Sequence, residues 1–137
     1  MKYVSLQLQE HLIEPSFKMC KDCVLFSQDY STLFVADDAL IDTGATRTSV
    51  SMDIISQLRL QPKRQELIEI GNQLHDVGVF GIKMMLTPEV VFDLEVYGLP
   101  GEGLGAVIIG MDIIGLGKLT IEPAGKRHKG ELLFPTP

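Results

Sequence analysis

The residues best suited to chemistry stand between Ala39 and Ser51, in the order Ala-Leu-Ile-Asp-Thr-Gly-Ala-Thr-Arg-Thr-Ser-Val-Ser. Three apolar residues, Ala39, Leu40 and Ile41, run directly into Asp42, which puts one carboxylate at the end of a buried strand. A charge in such a place is costly unless it is paired, hydrogen-bonded or used. Thr43 offers a hydroxyl for a local network, and Gly44, lacking a Cβ, lets backbone amides close round the carboxylate.

The elements that must hold this group follow from size and patterning. A chain of 137 residues is one domain, spanning residues 1–137, able to bury on the order of two-thirds of its unfolded surface. Short apolar runs broken by 13 glycines and 7 prolines, in a chain 45% hydrophobic, point to many short strands. The predicted fold is therefore all-β with one or two short helices. Residues 3–8 alternate as an edge strand, followed by a turn at Glu14-Pro15-Ser16. Residues 17–26 and 32–35 read as two strands joined by the polar loop 27–31. Asp37-Asp38 forms a turn, since adjacent side chains point in different directions and cannot act as one pair.

After Ala45 a hydroxyl-rich stretch reaches Ser51, a predicted helix N-cap, with Asp53 placed for the positive end of the helix. Val50, Ile54, Ile55 and Leu58 share a face at helical spacing, and Pro62 lies beyond the end. Residues 63–66 read as a charged connector and 67–70 as a strand. Polar residues 71–76 then lead into a long strand, 77–86, giving a projecting hairpin. Residues 90–97 form a further strand whose Asp93 and Glu95 mark its solvent side.

A second apolar run, Ala106-Val107-Ile108-Ile109-Gly110, lacks polar alternation and reads as a strand buried on both faces, with Gly110 admitting a close backbone approach. Met111-Asp112-Ile113-Ile114-Gly115 follows, with Ile113, Ile114 and Leu116 covering the core from a short helix. Residues 118–121 and 131–134 close the chain as strands around a basic turn.

Several other chemistries are excluded or weakened. A net charge of −6 argues against a nucleic-acid footprint, and the basic cluster Lys126-Arg127-His128-Lys129 sits between glycines as a solvated turn. The glycine-rich stretch 98–105 does not open a helix, as a nucleotide loop must. Cys20 and Cys23 have no second ligand pair, and His11, His75 and His128 are scattered, so no metal site and no cofactor are expected; the two cysteines read as reduced thiols in a β-hairpin. No apolar run approaches the roughly 18 to 20 residues of a membrane span. The first residues carry Gln and Glu where a signal peptide is apolar, so a cytoplasmic location without membrane contact is expected.

Leu40-Ile41-Asp42-Thr43-Gly44-Ala45 and Ile108-Ile109-Gly110, in that order and with a hairpin between them, resemble the paired motifs of the retropepsin-like aspartic proteases, the single-domain, dimeric relatives of pepsin. The resemblance covers roughly residues 32–121, leaving 1–30 as an N-terminal extension or edge strands. It implies a closed β-barrel-like fold and an aspartic endopeptidase acting on peptides or proteins. Two carboxylates held about 3 Å apart share a proton, so that one accepts a proton from the attacking water and the other donates one; aspartic proteases are the model case of this chemistry. With a single Asp-Thr-Gly, the partner must be Asp42 of a second subunit across a two-fold axis, so the resemblance implies a homodimer.

The same resemblance gives Thr43 a hydrogen bond across that axis and places Gly44 and Ala45 beside the substrate backbone. It makes the hairpin a flap with Asn72, Gln73 and Leu74 as substrate contacts, and gives pocket walls to Val107 and Ile108. Gly110 and Asp112 become structural, with Asp112 holding backbone amides or pairing with Arg47. Viral members carry an arginine where Met111 stands and an acid where Thr46 and Arg47 follow Ala45. Two other readings stand beside the enzyme: a catalytically silent dimerisation or peptide-binding module of the same fold, and an unrelated β-barrel with a structural aspartate.

Overall fold

The computed structural model describes residues 2–8, 11–12, 17–18, 23–37, 39–100, 107–125 and 127–136. In chain order the elements are β1 (Lys2–Gln7), β2 (His11–Leu12), β3 (Phe17–Lys18), β4 (Cys23–Phe26), β5 (Leu33–Ala36), β6 (Ala39–Ile41), β7 (Ser49–Ser51) and α1 (Met52–Gln57). They continue as β8 (Arg64–Ile70), β9 (Gln73–Thr87), β10 (Val90–Leu99), β11 (Val107–Ile109), α2 (Met111–Ile114), β12 (Lys118–Ala124) and β13 (Arg127–Thr136). The fold is mostly β with two short helices, as composition and turn spacing require.

The strands form two sheets. The smaller has the order β1-β13-β12, and β1 and β2 run one after the other along the same edge of β13. The larger has the order β3-β6-β11-β7-β10-β9-β4-β5, with β8 added to the outer half of β9. It curls into a half-barrel. Leu6, Leu132 and Phe134 from the small sheet join Leu25, Ile41, Ile82, Met84 and Ile109 from the large one in a single core, closed at one side by Ile54 and Ile55 of α1 and Ile113 of α2. Each such side chain, fully buried, contributes about 1.5–3 kcal/mol against exposure.

The central feature is the placement of β11. It pairs parallel to β6 through Val107↔Ala39 and Ile109↔Ile41, and antiparallel to β7 through Val107↔Val50. The chain leaving β6 therefore cannot pair with its successor β7; it must step over the end of β11. Residues 42–48 make that step.

Several sequence expectations are corrected. Residues 17–26 are not one strand, because β3 pairs with β6 whereas β4 pairs with β5 and β9. The connector begins its strand early: Arg64–Glu66 belong to β8, held by pairing with β9 and by Arg64 reaching Glu66 and Glu95. The turn of the long hairpin is only Gly71-Asn72, between the paired Ile70 and Gln73, with Gly71 at φ 62. Ser51 precedes α1, but its side chain makes no cap hydrogen bond. Leu116 is 57% exposed rather than part of the core. At the C-terminal hairpin Arg127 to Lys129 lie within β13, so the turn is confined to the neighbourhood of Gly125. The turn at Glu14-Pro15-Ser16, and Cys20, Asp38, Lys126 and residues 101–106 of the glycine-rich stretch, lie outside the described residues. Among the described residues no helix is long and apolar enough to cross a membrane.

Cys23 is fully buried on β4, and burial pushes its thiol up to about 12. Because the folded value lies above that of the unfolded chain, the thiol's contribution to stability is complete below the unfolded value of 9.0 and is lost as pH rises towards 12. In a Cys20→Ser protein, iodoacetamide at pH 8 is expected to leave Cys23 unmodified in the fold and to alkylate it in concentrated urea. Native labelling at the unfolded rate would contradict this packing.

Candidate active site

Asp42 ends β6, where its amide donates to the Ile109 carbonyl at 2.9 Å and so extends the β6–β11 pairing by one bond. The chain then turns: the Ala45 amide donates to the Asp42 carbonyl at 3.2 Å, and the Gly44 amide donates to Asp42 Oδ1 at 2.8 Å. The carboxylate is thus held by the backbone of its own turn and remains part-exposed, while Thr43 and Gly44 are exposed. A Cβ on Gly44 would lie 3.2 Å from Asp42 Oδ1, closer than an unstrained contact.

The step over β11 is fastened from behind. Met111 donates its amide to the Ala45 carbonyl at 2.8 Å, and the Gly110 amide donates to Thr48 Oγ1 at 3.1 Å. Asp112 receives the Thr48 amide on Oδ2 at 2.9 Å and the Thr48 hydroxyl on Oδ1 at 2.7 Å. Thr48 is fully buried, so both of its polar groups need these partners. Gly110 packs against this loop so closely that a Cβ would fall 2.8 Å from the Ala45 oxygen and 2.8 Å from the Arg47 carbonyl carbon. Of the two roles foreseen for Asp112, holding amides is the one found: it takes those of Thr48 and Ile113. Arg47 turns elsewhere.

Asp42 opens into a cleft of about 640 Å³. Gly44, Ala45 and Thr46 form its near wall, and Ile108 with Leu99 gives apolar surface beside the carboxylate. The β8 end of the hairpin, Ile68, Glu69, Ile70 and Gly71, lines the cleft as well. The hairpin's distal half projects from the body: Leu67 is 66% and Leu74 67% exposed.

At its base the hairpin is tied down by charge. Arg64 donates Nη2 and Nη1 to the two oxygens of Glu95, at 2.9 and 3.1 Å, and Nε to Glu66 at 3.0 Å. Arg64 holds both carboxyls below the usual range, and its own value is raised in turn. Burial first, then the neighbouring Glu66 carboxylate, raises the tyrosine. Arg47, in the cleft wall, stacks its guanidinium 4.8 Å from the Tyr97 ring centroid, with Nη1 3.7 Å from Glu66.

Of the residues singled out in the sequence, Asp42, Gly44, Ala45, Arg47 and Ile108 line the cleft, and Gly110 and Asp112 stand behind it. Val107 does not reach the cleft: it is fully buried, because it and Ile109 point into the core while Ile108 points out. Asn72, Gln73 and Leu74 lie at and beyond the hairpin turn and are not part of the cleft wall; Ile68 and Ile70 take that place. Thr48, Tyr97 and Leu99 were not singled out. Thr48 stood in a run of hydroxyls that carried the only available signal, and Tyr97 and Leu99 reach the cleft through the parallel pairing of β10 with β7.

No protein-family model and no curated protein matches the sequence. Among solved structures, a retropepsin-like aspartic protease from Rickettsia conorii is similar with a TM-score of 0.59, covering 97% of this chain and 93% of that chain at 13% identity. The chain has the retropepsin-like fold. The similarity extends well beyond the span 32–121 in which the motifs lie, and so takes in the strands β1 and β13 of the small sheet.

The fastening predicts its own sensitivity. Asp112→Ala strips the buried Thr48 of two partners and is expected to lower stability by about 2–3 kcal/mol in urea unfolding. Gly110→Ala forces the loop away from α2 and is expected to cost about 1–3 kcal/mol.

Proposed function

We propose that this protein is an aspartic endopeptidase that hydrolyses peptide bonds through a carboxylate pair made by Asp42 of two subunits of a homodimer. The observation that carries this reading is the Asp42 carboxylate: part-exposed at the edge of a cleft, at a strand end, with one oxygen fixed by the Gly44 amide. That the fold is shared along almost the whole chain with a retropepsin-like aspartic protease supports the same reading.

In this mechanism the two carboxylates hold one proton and a water between them. The ionised member takes a proton from the water as its oxygen attacks the peptide carbonyl carbon, and the protonated member donates its proton to the carbonyl oxygen. Collapse of the tetrahedral intermediate returns a proton to the amine as the C–N bond breaks. Thr43 and Gly44 keep the paired turns in register, and an extended peptide lies between them and the hairpin. Ile68, Ile70, Leu99 and Ile108 favour apolar side chains near the scissile bond. The hairpin acts as the flap, excluding water when it closes.

Peptide-library cleavage by wild type and Asp42→Asn, over about pH 3.5 to 7 where such a pair exchanges protons, tests this. Wild type is expected to cut, and the variant to lose roughly 10³-fold or more of that rate. Sedimentation of the same samples should show a dimer, with specific activity falling on dilution below its dissociation constant. Cleavage that survives Asp42→Asn, or full activity from a monomer, would overturn the reading. A folded dimer that binds peptides with neither form cutting them would assign the chain to the silent binding modules.

A further inference from the structure

Arg47 is the only basic residue among the described residues lining the cleft, where Asp42 and Glu69 are the acids. Its position is unusual for a guanidinium. The side chain is only 30% exposed, and Nη1 is buried without a hydrogen-bond partner among the described residues. The nearest carboxylate oxygen, Glu66 Oε2, is 3.7 Å away, beyond hydrogen-bonding distance. Glu66 does not depend on Arg47 for compensation, since it already accepts from Arg64 Nε at 3.0 Å.

The three cations at the base of the hairpin, Lys63, Arg64 and Arg47, face only two carboxylates, Glu66 and Glu95. Both oxygens of Glu95 are taken by Arg64, and Lys63 approaches the same carboxylate at 3.8 Å. Of these three cations only Arg47 also lines the cleft; its Nη1 is buried towards Glu66, and the 30% of its side chain that is exposed is what a bound peptide can reach. The guanidinium carbon lies 4.8 Å from the Tyr97 ring centroid, a contact that restrains the side chain in the cleft wall, and a guanidinium carries its donors in a fork that matches a carboxylate.

We propose that Arg47 is a specificity-determining residue of the cleft, receiving the side-chain carboxylate of an aspartate or glutamate in the bound peptide. This rests on the endopeptidase reading and adds a charge requirement to it: substrates with apolar residues at the scissile bond, set by Ile108 and Leu99, and an acidic residue further along the same segment. A lysine or arginine at that position meets Arg47 directly and is rejected, since a like charge brought into a part-buried site is destabilising.

The test compares synthetic peptides that carry Glu, Gln or Lys at each position around a cleaved bond. At one position wild type is expected to show kcat/KM for Glu about tenfold or more above Gln, the value of a charge-assisted over a neutral hydrogen bond, with Lys poorest. The preference should fade below about pH 4.3, where the substrate glutamate is protonated, and should weaken with added salt. Arg47→Gln should bring the Glu/Gln ratio close to one, Arg47→Lys should keep part of it, and Arg47→Glu should favour Lys. Equal cleavage of Glu and Gln peptides by wild type, or a uniform loss on both in Arg47→Gln, would overturn the proposal and leave Arg47 a brace for Tyr97. If no peptide is cut, the endopeptidase reading fails first. The same peptides are then bound to Asp42→Asn in fluorescence anisotropy, where a Glu-over-Gln preference abolished by Arg47→Gln upholds the subsite and its absence overturns it.

Discussion

The two hydrogen bonds between Thr48 and Asp112 decide where everything near the cleft lies. Because β11 occupies the place beside β6 that β7 would otherwise take, residues 42–48 must cross the end of a strand to which they are not continuous. A crossing segment carries amides and carbonyls that no ladder satisfies, and burying them unpaired would cost more than the crossing gains. Here Met111 satisfies Ala45, the Gly110 amide satisfies the Thr48 hydroxyl, and Asp112 satisfies both the hydroxyl and the amide of Thr48. The bare Gly110 backbone makes room for this at separations a side chain would forbid. Asp42 is thus positioned by residues more than sixty places later in the chain rather than by its own neighbours alone.

A division of rigidity follows. The Asp42 turn rests on a core that includes Ile41, Ile109 and Ile113 and has little freedom. The hairpin of β8 and β9 differs along its length. Its base is fixed by Arg64, Glu66 and Glu95 and by buried Val77 and Val79, whereas its distal half has few buried groups to hold it. The cleft is thus lined on the one hand by the core-anchored turn that carries the carboxylate and on the other by Ile68 and Ile70 of the hairpin.

Charge is distributed on the same plan. The carboxylates at the base of the hairpin are matched by arginine and lysine, and the tyrosine beside them is raised by burial and by Glu66. Asp42 stands apart from that network, oriented by a peptide N–H. This separation leaves the hairpin's ion pairs to fix the geometry of its base, while a backbone amide orients the carboxylate in the cleft.

Local pattern was enough to find the strand that delivers Asp42, and the unbroken apolar run ending at Gly110 marked a strand; its expected burial on both faces was not met, because the Ile108 face opens on the cleft. The helix at Met52–Gln57 and the strands β10 and β12 were legible for the same reason: their periodicity is set by neighbours in sequence. The faces were not. In β11 every residue is apolar, so nothing in the sequence says that Val107 packs inward while Ile108 looks into the cleft; a shift of one residue in register reverses the two. The hairpin shows the same limit, because pairing Ile70 with Gln73 makes a two-residue turn and hands the cleft to Ile68 and Ile70 instead of Asn72, Gln73 and Leu74. The sequence by itself determined a β fold, one carboxylate at a strand end and a glycine behind it. Only the tertiary structure decided that Thr48 and Asp112 meet and that Arg47 stacks on Tyr97, because those contacts join residues whose separation along the chain is bridged by strand order alone.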